Sequence, residues 1–325
     1  MSSALLVVQI LNGLQLGILL FLIAAGLTLT FGVMDFINLA HGVQYMVGAY
    51  LAAMFVAWTG SFWTGLAFTL PTALAFGLLL ETTIYRRLYD RDHLDQLLAT
   101  FGLIIFLNQA VKTVWGAAPL SVPIPDLLSG SVQLMDGLLY PVYRLALIAV
   151  GLAMALLLHL LINRTRVGML VRAGATNAPM VSALGVDIRR LFMIVFGFGA
   201  MLAGFAGALV APILSVQPGM GDDLLILAFV VIVIGGVGSI PGVVFGAFFI
   251  VIVPNWASDL SNWVQTLALP GFLSRILVLL SSPQVLFGMA LIICVGLLPA
   301  GVGGIIRWLL RIIERDAATP TRPPS

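Results

Sequence analysis

Met34-Asp35-Phe36-Ile37-Asn38-Leu39-Ala40-His41-Gly42 interrupts a run that carries no charge: no acidic, basic or histidine side chain precedes Asp35, and His41 is the only one between it and Glu81. The flanking residues are apolar enough for a lipid bilayer. An ionisable group at the bilayer centre costs from about 2.5 kcal/mol upward, so such a residue faces a bundle interior, a cavity or the membrane edge. The stretch therefore reads as a helix break, or as part of a transport pathway.

Working outward, the whole chain fits that setting. Hydrophobic residues make up 61% of the sequence and charged residues 9%, against roughly 25% charged in a soluble domain. Mean hydropathy is +1.14. The apolar segments are long enough for membrane helices rather than barrel strands, and a helix satisfies its own backbone hydrogen bonds in lipid. The expected fold is an all-α, polytopic bundle of about eight hydrophobic segments, with 1–306 as the transmembrane domain and 307–325 as a basic, Pro-rich cytoplasmic tail. The single cysteine, Cys294, rules out an intrachain disulfide, and the three histidines are dispersed; no metal site or cofactor is expected. The formal net charge of +2 gives no reason to expect nucleic acid. A first apolar stretch too long for a signal h-region, with no basic residues before it, predicts that the first span itself targets the chain.

The spans fall at about Leu5–Phe31, Val43–Trp58, Phe62–Tyr85 (with Pro71 as a kink), Leu94–Trp115, Tyr143–Asn163 and Leu191–Leu214. A long loop, Gly116–Pro141, has no basic residue; a basic loop runs from Arg164 to Arg190. Leu224–Val253 is broken by Gly235-Gly236-Val237-Gly238-Ser239-Ile240-Pro241-Gly242, and reads either as one long kinked span or as a re-entrant hairpin. The last clear span is Val285–Ile306, and Val264–Leu280 is a candidate extra span. Of the fifteen Lys and Arg residues, twelve lie at Arg86, Arg87 and Arg91, at Arg164, Arg166, Arg172, Arg189 and Arg190, and at Arg307, Arg311, Arg315 and Arg322. Those segments should be cytoplasmic. Span parity then places the N-terminus outside and favours the re-entrant reading of 224–253.

Three stretches carry candidate functions. Asp35, Asn38, His41 and Gln44 recur every three residues, so neighbours share a helix face. Either Asp35 caps the approach to the second span while Asn38 and His41 bond freed backbone carbonyls, or these residues line a translocation pathway, or they meet a partner subunit. Gly235, Gly236, Gly238, Ser239, Pro241 and Gly242 permit a helix break whose backbone groups could line a pathway, or simply pack tightly; Pro241 suits a first helical turn. In the basic loop, Asn177 can act as an N-cap with Pro179 in the following turn. Met180, Val181, Leu184 and Val186 then form a short apolar face, which suits docking on a partner or lying on the lipid interface.

These stretches resemble a known family. Gly26-Leu27-Thr28-Leu29-Thr30-Phe31-Gly32 through Gly42, with Tyr45, Gly48 and Tyr50, is similar to the N-terminal signature of branched-chain amino-acid ABC transporter permeases, the LivH/LivM family. Gly235–Gly242 resembles its second glycine-rich signature. Arg172-Ala173 through Leu184-Gly185-Val186 resembles its cytoplasmic loop, with Thr176-Asn177 where acidic residues are usual. The resemblance implies the membrane subunit of an ATP-driven importer for branched-chain or other hydrophobic amino acids, multi-pass in a bacterial inner membrane. It implies partners: ABC ATPase subunits, a second permease chain and an external substrate-binding protein that docks on the outer loops. Arg172, Ala173, Asn177, Leu184 and Gly185 would belong to the coupling segment seated on the ATPase. The residues themselves agree on one exclusion. The sole lysine, Lys112, has no preceding glycine loop, so no Walker A motif is present and the chain is not expected to be an enzyme. The alternative is a secondary transporter using Asp35 or His41 as an ion or proton relay.

Overall fold

The computed structural model describes residues 3–135, 137–236, 239–267 and 271–297. The chain divides into two compact units, Met1–Phe229 and Val230–Ser325.

In the first unit, helices α1 (Ser3–Met34), α2 (His41–Thr59), α3 (Phe62–Thr83), α4 (His93–Trp115), α5 (Val142–Arg164), α6 (Arg166–Ala183) and α7 (Ile188–Val210) follow one another. All but α6 are long and apolar enough to cross a membrane, and they match the six spans read from the sequence. The chain is therefore a multi-pass membrane protein with an all-α bundle. Helix α3 runs unbroken through Pro71. The loop between α4 and α5 holds structure that the sequence did not announce: strands β1 (Ser131–Met135) and β2 (Leu138–Pro141) form an antiparallel hairpin. A bridge between Leu120 and Val216 ties that loop to the segment after α7.

Burial sorts the helices. The apolar windows of α1, α2 and α7 are 83%, 72% and 78% buried, whereas those of α3, α4 and α5 are 28%, 22% and 22% buried. The first three form the centre, and the second three leave most of their apolar surface exposed. What lets α7 sit there is its small residues. A Cβ on Gly48 of α2 would collide with the backbone of Gly204 on α7, so the two helices cross in backbone contact. This is the small-residue packing that membrane helices use in place of a hydrophobic driving force. Gly48→Val is expected to cost about 1–3 kcal/mol or more through overpacking and to lower the melting temperature in detergent. Gly102→Val on α4, where nothing lies within 4 Å of the added carbon, should leave it unchanged.

The second unit contains the end of α8 (Asp222–Gly235), then α9 (Ile240–Thr266), α10 (Gly271–Leu280) and α11 (Pro283–Leu297). The single kinked span expected as one reading of 224–253 is absent; the chain turns back at the glycine-rich break. The second arm does not stop at Val253, however. It continues as helix through Pro254 to Thr266, about 40 Å in all, so the sequence placed its end too early. The extra span proposed at 264–280 is also corrected. In the described part of that stretch α9 ends at Thr266 and the ten-residue α10 begins at Gly271; α10 is about 15 Å long and too short to cross. The tail 307–325, and the last span beyond Leu297, lie outside the described residues.

Candidate functional site

Helix α1 ends at Met34, and Asp35 takes a left-handed conformation with φ 49°, one that Asp tolerates better than most residues. Its side chain is exposed. The residue before α2 is Ala40, with no side-chain cap, so the expectation that Asp35 caps the second span is corrected: Asp35 terminates the first. From there residues 35–40 run without helix, and His41 Nε2 lies 3.1 Å from the carbonyl oxygen of Ile23. Ile23 is eleven residues before the end of α1, about 16 Å along its axis. Helix α2 thus begins inside the bundle, beside the middle of α1.

Asn38, His41 and Gln44 are 0%, 0% and 2% exposed. The Tyr85 hydroxyl donates to Asn38 Oδ1 at 3.1 Å. Gln44 lies beside both His41 and Tyr85, yet among the described residues both of its amide atoms, Asn38 Nδ2 and His41 Nδ1 have no hydrogen-bond partner. The structure brings three of the four predicted residues into one buried polar cluster and leaves Asp35 outside it. Among the described residues no hydrogen bond joins Asp35 to His41.

Two groups that the sequence did not single out hold this region. Glu81, fully buried, receives Arg86 Nη2 at 2.9 Å and the Tyr89 hydroxyl at 3.2 Å. Burial, and then the Glu81 charge, push the Tyr89 hydroxyl above its ordinary range, so it stays a donor. Gln96, 3% exposed, accepts from Ile37 N–H at 3.2 Å and donates to the carbonyls of Leu88 and Arg91 at 3.3 and 3.2 Å. It pins the 35–40 stretch to the turn between α3 and α4. Gln96→Leu would take the side-chain partner from the Ile37 amide and the Arg91 carbonyl, and a buried unpaired group costs about 1–3 kcal/mol. The expected result is faster proteolysis at residues 85–92 and a lower melting temperature. Glu81 had a signal in the sequence, as an acid at the end of an apolar span; Gln96 had none.

The basic loop carries the second candidate. Asn177 has non-helical φ −158° and ψ 87°, which divides α6 into two pieces. Asn177 Oδ1 accepts from Met180 N–H at 2.9 Å, with Pro179 in the turn between them. The N-cap read from the sequence is therefore present, but the helical piece 166–176 before it was not anticipated. Val181 is buried, whereas Met180 and Leu184, one turn apart, are 63% and 76% exposed. Gly185 follows with φ +88°, and bonds from Gly185 N to Ser182 O and from Val186 N to Val181 O close the helix end. Arg172 is engaged within the chain, donating to the carbonyl of Ile162 at the end of α5; Ala173 is half-buried. Asp187 caps α7 by accepting from Arg190 N–H at 3.1 Å.

In the second unit, Gly235 and Gly242 are in backbone contact, and Gly246 packs on Val231. Ser239 caps α9 by accepting from Gly242 N–H at 3.3 Å. Pro241 lies in the first turn as expected, and Gly236 turns the chain with φ +94°. Gly238 lies outside the described residues.

Residues 9–295 match the family model described as branched-chain amino acid transport system / permease component. The chain belongs to this family. The permease protein BraD of the high-affinity branched-chain amino acid transport system of Pseudomonas aeruginosa is 32% identical over 296 residues, covering 86% of this chain and 95% of BraD. LivH of Escherichia coli K12 is 31% identical over 303 residues, 86% of this chain and 94% of LivH. LivM of the same organism is 27% identical over 295 residues, 82% of this chain and 67% of LivM. No solved structure matches significantly. As a permease component, the chain is a transport protein.

Proposed function

We propose that the chain is the membrane-spanning subunit of an ATP-driven importer for branched-chain or other hydrophobic amino acids, multi-pass in a bacterial inner membrane. The observation that carries the coupling is the exposed Met180–Leu184 pair on a helix whose ends are fixed by Asn177 and Gly185. An apolar pair held this way suits seating in a groove of a partner, here an ABC ATPase. The chain has no Walker A loop of its own, so ATP hydrolysis falls to the partner subunits. A second permease chain and an external binding protein complete the assembly; similarity to both LivH and LivM supports a heterodimer.

The mechanism follows from connectivity. The coupling segment, Arg172–Asp187, leads through the Asp187 cap into α7, which is packed against α1, α2 and α3. A push at Leu184 is thus passed to the helix that meets α2 in backbone contact, and α2 carries His41 and Gln44 at its buried start. Asp35, Asn38, His41 and Gln44 mark one pathway-lining break in this proposal. The Gly235, Gly236, Gly238, Ser239, Pro241 and Gly242 turn marks another. ATP-driven motion alternates their access to the two sides. The turn after α3 supports the orientation, because Arg86 reaches Met193 near the start of α7, which puts two basic segments at one end of the unit. Purification of the tagged chain from its host in mild detergent should recover an ATPase and a second permease. A lone chain that moves solute in liposomes without ATP would contradict the proposal.

A further inference from the structure

Beside the coupling segment lies a cavity of about 590 Å³, walled by the turn after α3 and by residues 178–192. That volume lies in the range of small-molecule sites. Tyr89 and Phe192 meet edge to face with ring centroids 5.7 Å apart, and both are half-buried. Pro179 and Val186 extend this apolar lining. Four charged residues also line the cavity. Arg86 and Asp187 are paired with Glu81 and Arg190. Asp90 and Arg189 are exposed, and among the described residues their side chains have neither an ion-pair nor a hydrogen-bond partner. The cavity therefore offers one free carboxylate, one free guanidinium and an apolar wall. A zwitterion with an apolar side chain offers a partner to all three features, whereas a purely anionic or cationic ligand engages only one of the two charges.

We propose that this cavity binds a zwitterionic amino acid with an apolar side chain, with Arg189 holding the α-carboxylate, Asp90 the ammonium, and Tyr89, Phe192, Pro179 and Val186 the side chain. The site is separate from the pathway. It rests on the transport reading for its source of ligand, the imported amino acid at the cytoplasmic face. Because the ligand would touch both the turn after α3 and the residues leading into α7, its binding braces the coupling segment and slows further import.

The test is hydrogen exchange of segment 178–192 in the purified transporter complex, with and without L-leucine. Leucine should slow exchange there, and N-acetyl-leucinamide, which keeps the side chain but neither charge, should not. Arg189→Gln and Asp90→Asn should each lose the protection, and Arg189→Lys should retain part of it. No slowing in the wild type would overturn the proposal, as would equal slowing in Arg189→Gln. Leucine uptake into vesicles, measured on the same preparation with and without internal leucine, separates the two readings. Protection without any uptake leaves the cavity site standing and removes the transport reading. Uptake without protection does the reverse.

Discussion

Leu184→Asp is expected to reduce ATP-driven uptake by more than tenfold while the chain still inserts and accumulates at wild-type levels. The side chain is 76% exposed, so the fold itself scarcely senses the change; exposed substitutions usually stay within about 0.5 kcal/mol. In a docking groove the same side chain is a buried anchor. Losing such an anchor, and placing a carboxylate in its stead, costs about 2 kcal/mol or more, which is about thirtyfold in affinity. Co-purification of the ATPase should fall in step with uptake. If uptake falls while the ATPase remains bound, the helix works against lipid instead. Gly185→Asp is a poorer probe, because φ +88° adds about 1 kcal/mol of backbone strain for a residue with a Cβ.

Gly242→Leu is expected to abolish transport through a different unit. A Cβ at position 242 would strike the Gly235 carbonyl, and one at 235 would strike Gly242 in return, so neither of these two facing positions tolerates a side chain. Overpacking of this kind costs about 1–3 kcal/mol in a core that can relax, and more where the obstacle is backbone. Gly242→Ala should already impair uptake measurably. Gly271→Ala, which meets nothing within 4 Å, serves as the control and should transport normally. Equal uptake by Gly242→Leu and wild type would remove the close-packed hairpin from the mechanism.

The sequence located the breaks better than the bonds that hold them. Six spans were legible because lipid demands long uncharged runs, and the interruption at Asp35–His41 stood out as the first ionisable residues. The cap at Asn177 was legible because Asn followed two residues later by Pro is a local signal. Gln96 was not, since its role depends on Ile37 and Leu88 meeting it from other elements. Asp35 was misread as a cap for α2 because spacing along the chain cannot reveal that α2 starts deep beside Ile23. The end of α9 was placed at Val253 because Pro254 reads as a stop, yet a helix tolerates proline in a membrane where neighbours re-satisfy the backbone. The hairpin at Ser131–Pro141 is too short to give a periodic signal.

The most direct test is leucine uptake into proteoliposomes containing the purified assembly and its external binding protein, with ATP supplied on the ATPase side. Uptake that requires ATP, stops when the ATPase is omitted and falls more than tenfold in Leu184→Asp is the predicted result. Uptake by the chain alone, driven by an ion gradient and indifferent to ATP and to Leu184, would contradict the account.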